Sequence, residues 1–72
     1  MKKSYRLENL DCAGCAAKME AAINKIDGVK SASISFMSAR LIIETDDDIH
    51  SEVLDKAQKA IKKVERDCLI VR

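Results

Sequence analysis

The apolar residues of this 72-residue chain change period four times, and that succession constrains its fold more than any single motif. Tyr5 and Leu7 alternate with Ser4, Arg6 and Glu8, the period of a strand with one buried face. From Cys15 the spacing becomes i, i+4, i+7, i+8 and i+11, through Met19, Ala22, Ile23 and Ile26. This is a helical stripe, which Asp27-Gly28 is placed to end, with Gly28 as the C-terminal cap. Alternation returns from Val29 to Phe36, where Ala32, Ile34 and Phe36 oppose Ser31, Ser33 and Ser35, and a second strand-like run spans Ala39 to Thr45. Met37-Ser38 joins the two as a tight turn without the Asn-Gly or Asp-Gly signature. Asp46, Asp47 and Asp48 offer caps and favourable charge to a second helix, whose stripe is Val53, Ala57, Ala60, Ile61 and Val64 and which ends near Glu65. Asp67 to Val71 is the last strand, and no stretch reads as a linker.

The order βαββαβ divides into two βαβ halves. It predicts an α+β, ferredoxin-like sandwich, a four-stranded antiparallel sheet with two helices on one face, formed by residues 1–72 as a single domain. With the usual strand order 4-1-3-2, the loop after strand one, the Met37-Ser38 turn and the start of strand four share one end. Glu65, Asp67 and Cys68 then lie near that loop, and His50 lies at the opposite end, a poor ligand candidate.

Composition removes several functions. Thirteen Lys plus Arg against twelve Asp plus Glu leave a net charge of +1, no electrostatic footprint for nucleic acid or an anionic membrane. One Tyr, one Phe and no Trp supply no stacking platform for single strands. No apolar run approaches the roughly 20 residues of a membrane span, and Met1-Lys2-Lys3 leads into a strand rather than a signal-peptide core. The expectation is a soluble, cytosolic chain, monomeric in its apo form, whose three cysteines are reduced.

The chemistry is concentrated in Asp11-Cys12-Ala13-Gly14-Cys15. With Cys12 in a loop and Cys15 opening a helix, both sulfurs can converge on one ion, and a helix N-terminus favours the thiolate that ligates. Asp11 adds a hard oxygen to two soft sulfurs, a set that suits Zn(II) or another divalent ion better than Cu(I). Each residue also has a plainer role. The cysteines could be small packing residues, Asp11 a helix-capping carboxylate, Cys68 a core thiol alternating with Ile70 or else a third sulfur, and Met37 an apolar hairpin tip. The Asp46 to Asp48 run lacks a hard-cation spacing and reads as a cap. Glu52 with Lys56 and Asp55 with Lys59 have the spacing of supporting ion pairs on a wet helix face.

The run Leu10-Asp11-Cys12-Ala13-Gly14-Cys15-Ala16-Ala17-Lys18-Met19-Glu20 resembles the heavy-metal-associated domain, whose G-M-x-C-x-x-C loop lies between strand one and helix one. Val29-Lys30-Ser31-Ala32 and Ser35-Phe36 resemble its second strand, and the likeness covers essentially the whole chain. Asp before the first cysteine is similar to the N-terminal domains of zinc, cadmium and lead exporting P-type ATPases, whereas copper proteins of the family usually carry Thr or Ser there. The resemblance therefore implies a non-enzymatic module that takes Zn(II), Cd(II) or Pb(II) on Cys12, Cys15 and Asp11. Its partners would be the transmembrane part of a transporting ATPase or other soluble domains. The family's Gly-Met is Asn9-Leu10 here, so Leu10 takes over the packing of Met. Three alternatives make different demands: a Cu(I) carrier using two sulfurs, a mercury-binding relative, and a dithiol redox protein. The last is disfavoured because thioredoxin-like folds are larger and place a cis-proline near the thiols, and this chain has no proline.

Overall fold

In the computed structural model, which describes residues 1–72, the two βαβ halves interleave in one sheet. The elements are β1 (Lys2–Glu8), α1 (Ala13–Asn24), β2 (Val29–Ser35), β3 (Arg40–Thr45), a 3-10 turn (Asp47–Ile49), α2 (His50–Val64) and β4 (Leu69–Val71). The sheet is antiparallel in the order β2-β3-β1-β4, the expected order seen from the other edge. The alternating residues do what their period requires. Leu7, Ala32, Ile34, Leu41, Ile43 and Ile70 point to the helices, and Met19 and Ile23 of α1 with Val53, Ala57 and Ile61 of α2 meet them in one buried cluster of 14 residues. At about 25 cal/mol per Å² of apolar surface, such a cluster supplies the main driving force for a chain this short.

The bounds of several elements differ from the sequence-based expectation. Strand β1 begins at Lys2 rather than Ser4, because Lys2 and Lys3 pair with Glu44 and Ile43 of β3. Helix α1 starts at Ala13 and stops at Asn24, short of Gly28. After Asn24 the chain tightens through Lys25 N–H to Ala22 C=O and Ile26 N–H to Ile23 C=O at 3.2 and 3.0 Å, and Gly28 with φ 97° turns it into β2 instead of capping the helix. Phe36 leaves the buried face of β2 and lies 40% exposed in a turn that runs to Ala39, whose φ is 52°. Strand β4 is confined to Leu69–Val71, although Cys68 ahead of it is fully buried.

The charged residues were also redistributed. No aspartate side chain caps the 3-10 turn or α2. Asp46 instead pairs with Lys30 at 3.0 Å, and Asp47 with the N-terminal amine at 3.1 Å. Asp55 pairs with Arg72 at 2.6 Å rather than with Lys59, and no ion pair forms between Glu52 and Lys56.

Both free edges of the sheet are closed by side chains from the helices. Asn24 of α1 accepts from the Ala32 N–H at 3.0 Å and donates to the Ala32 C=O at 2.9 Å, while Glu20 accepts from the Ile34 N–H at 3.1 Å. Across the molecule, Gln58 of α2 accepts from the Ile70 N–H at 2.8 Å and donates to the Cys68 C=O at 3.1 Å. Each amide stands where a fifth strand would otherwise pair, which removes the aggregation hazard of an open edge.

Candidate metal centre

The loop between β1 and α1 is held in place by residues from the far end of the chain. Asn9 has a φ of 62°, the left-handed region that Asn tolerates better than most residues, and its amide donates to the Asp67 C=O at 3.0 Å. Leu10 is half-buried against the core, as the packing substitute for Met. The Asp11 N–H donates to a Glu65 carboxylate oxygen at 3.4 Å, where α2 ends. The hairpin turn joins the same end, since the Leu7 N–H donates to the Ala39 C=O at 2.7 Å.

Cys12 is the N-cap of α1. Its backbone is extended, at φ −136° and ψ 122°, and its Sγ accepts from the Cys15 N–H at 3.2 Å. A sulfur therefore occupies the place that Asp11 could have held as a cap, and the Asp11 side chain stays exposed beside it. Gly14 leaves room rather than a hole: a β-carbon there would lie 3.7 Å from Cys12 Sγ.

The two thiols are not equivalent. A hydrogen bond from the Cys15 thiol, followed by the Cys15 backbone N–H, holds the Cys12 pKa below that of an ordinary thiol. The same shared bond pushes Cys15 up, as do desolvation and the negative charges of Cys12 and Glu65, with Lys18 acting in the opposite sense. The resting pair is thus one exposed thiolate-prone sulfur bonded to one half-buried thiol. Cys68 is a different case. Burial first, then the fields of Glu65 and Asp11, push its thiol up to about 11, which keeps it neutral in the core at neutral pH.

The structure brings Cys12 and Cys15 together and places Asp11 next to them, but no three Cys, His, Asp or Glu side chains converge in ligating geometry. His50 is remote and fully engaged, with Tyr5 Oη 2.7 Å from Nε2 and Thr45 Oγ1 2.7 Å from Nδ1. Met37 is 94% exposed at the hairpin tip. Sequence placed Glu65 near the loop without a role; its bond to the Asp11 backbone came only with tertiary structure, because 54 residues separate the two.

A family model for the heavy-metal-associated domain matches residues 4–67. The chain belongs to the heavy-metal-associated domain family. This heavy-metal-associated domain is a metal-binding module, not an enzyme. It is 35% identical over 57 residues to the zinc/cadmium/lead-transporting P-type ATPase of Escherichia coli (strain K12), which covers 79% of the domain and 8% of the ATPase. The domain thus spans less than a tenth of the length of that relative. Among solved structures, the CopZ metallochaperone has a TM-score of 0.75 at 24% identity, covering 99% of this chain and 100% of the other. A copper binding domain from a P-type ATPase has a TM-score of 0.73 at 22% identity, covering 99% and 93%. At these identities the structural likeness is one of fold. No helix of the domain is long and apolar enough to cross a membrane.

Proposed function

We propose that this domain captures a divalent soft metal, Zn(II), Cd(II) or Pb(II), through Cys12, Cys15 and Asp11, in the cytosol, and passes it to a metal-exporting P-type ATPase of which it is a part or to which it delivers. The single observation that carries this reading is the charge at the loop: two thiols beside two carboxylates, Glu65, whose field acts on both sulfurs, and Asp11, which adjoins Cys12 and with Glu65 acts on Cys68. A divalent ion relieves that concentration of negative charge better than a monovalent one, and a carboxylate oxygen beside sulfur suits the borderline ions. Asp11, exposed and adjacent to Cys12 in the chain, is the carboxylate that would complete the set.

Metal capture here is a proton-releasing ligand exchange. The Cys12 sulfur, already the more acidic of the pair, binds first; the Cys15 thiol then loses its proton as the ion takes the place of its hydrogen bond to Cys12. An exposed site with an open position hands its ion on by accepting an incoming ligand before releasing its own, which a closed four-ligand structural site does not.

The second reading is a Cu(I) carrier, favoured by the fact that only two sulfurs, and no third donor, are already assembled. A competition titration of the reduced domain with Zn(II) and Cu(I) against chelators of known affinity, run beside Asp11→Ala, separates the two. The divalent reading expects tight zinc binding that weakens by about tenfold or more in the variant, on the scale of lost metal contacts. Weak zinc binding together with tight, Asp11-independent copper binding would establish the copper carrier instead.

A further inference from the structure

Between α1 and α2, away from the sheet, runs an open groove with basic walls and an apolar floor. Lys18 and Lys25 stand on one wall and Lys56, Lys59 and Lys63 on the other. Ala22, Ile26, Ala60 and Val64 form the half-buried floor between them. No carboxylate lines the groove, and none of the five lysines is in an ion pair, since Asp46, Asp47 and Asp55 are all engaged elsewhere. Five uncompensated cations are therefore gathered on one face of a chain whose net charge is only +1.

The spacing of the walls is as informative as their sign. Lys18 and Lys25 are seven residues apart, and so are Lys56 and Lys63, which at the rise of a helix is about 10.5 Å on each side. A third helix laid in the groove repeats its side chains at the same interval, and the alanines of the floor allow its backbone to come close. We infer that this groove docks an amphipathic α-helix of a separate protein, with small or branched apolar residues along one stripe and Asp or Glu at seven-residue spacing on both flanks. A flat anionic bilayer would meet the exposed ammonium groups and leave the recessed floor uncovered. A nucleic acid would find no aromatic side chain in the groove to stack on. The surface does not depend on which metal, if any, occupies Cys12 and Cys15.

The test follows backbone amide shifts of the isotope-labelled chain by NMR on titration with a synthetic peptide of about 18 residues, long enough to be helical. The peptide carries a Leu/Ala stripe flanked by Glu at seven-residue spacing. Its counterpart with Lys in place of Glu, and phosphatidylglycerol vesicles, are run beside it. The expected result is shifts confined to the facing stretches of α1 and α2 for the acidic peptide alone, with affinity falling about tenfold or more as salt rises through the range that screens surface charge. Lys56→Glu with Lys63→Glu should weaken binding about tenfold or more, as a reversal of two of the wall charges requires, with far-UV circular dichroism unchanged. Lys56→Gln with Lys63→Gln gives a smaller loss in the same direction and serves if the reversed variant fails to fold. Equal binding of the Lys peptide, shifts centred outside the groove, unchanged affinity in the variants, or stronger association with vesicles than with the acidic peptide would each overturn the inference.

Discussion

Asn9 and Cys68 show what a single residue contributes beside the metal loop. Asn9 holds a left-handed backbone and latches it to the Asp67 carbonyl, so one side chain does both jobs. Asn9→Ala should destabilise the domain by about 1–2 kcal/mol, the scale of a β-carbon in left-handed conformation, while Asn9→Gly should lose only the latch; chemical denaturation of both variants checks this. Cys68 is buried and its thiol is held neutral, so Cys68→Ser should leave zinc or cadmium affinity within about twofold of the native chain while lowering stability by about 1–3 kcal/mol through a poorly satisfied hydroxyl. A large loss of cadmium affinity in that variant would instead make Cys68 a third sulfur ligand. The cysteine pair and the neighbouring Asp11 were legible in the sequence because five consecutive residues carry them. The cap role of Cys12 was not, since Asp11, a better capping residue by type, sits one position earlier and the cap position falls on Cys12.

At the scale of elements, the period of the apolar residues located both helices and all four strands, and the errors fell at their ends. Asn24, the last residue of α1, spends its side chain on the sheet edge, and Asp55 leaves Lys59 for Arg72. Neither competition is visible within one element. Removing the edge amides tests their role: Asn24→Ala and Gln58→Ala should each lower stability by about 1 kcal/mol, the net worth of the hydrogen bonds lost. Amide exchange should accelerate at Ala32 in the first variant and at Ile70 in the second, and the double variant should associate through its uncovered edges at high concentration, read by light scattering. Monomeric behaviour of the double variant with unchanged exchange would mean that the helices shield the edges by bulk alone.

For the molecule as a whole, the 14-residue core forms without any contribution from the metal loop ligands Asp11 and Cys12, so chelation should leave a cooperatively melting apo domain. Loss of the thermal transition on adding chelator would mark a structural zinc site instead. Stability should also depend on pH through His50, at the end of the molecule remote from the loop. Burial, with Lys3 and the N-terminal amine, lowers the His50 pKa below its unfolded value of about 6.5, against the opposing charge of Asp47. The neutral ring is thus preferred in the folded state. Its contribution is complete above the unfolded pKa, declines as pH falls from there towards the folded pKa, and is lost below it, with a slope of at most about 1.4 kcal/mol per pH unit. Urea midpoints measured from pH 7 to pH 5 should fall in the native chain, and that His50-dependent component should vanish in His50→Gln. By itself the sequence determined the order of elements and the identity of the chemistry-bearing loop, because periodicity and a short motif are local quantities. Only tertiary structure decided that Glu65 braces Asp11, that helix amides close the sheet edges and that five lysines line one groove, because those arrangements join residues that meet only after the two halves interleave.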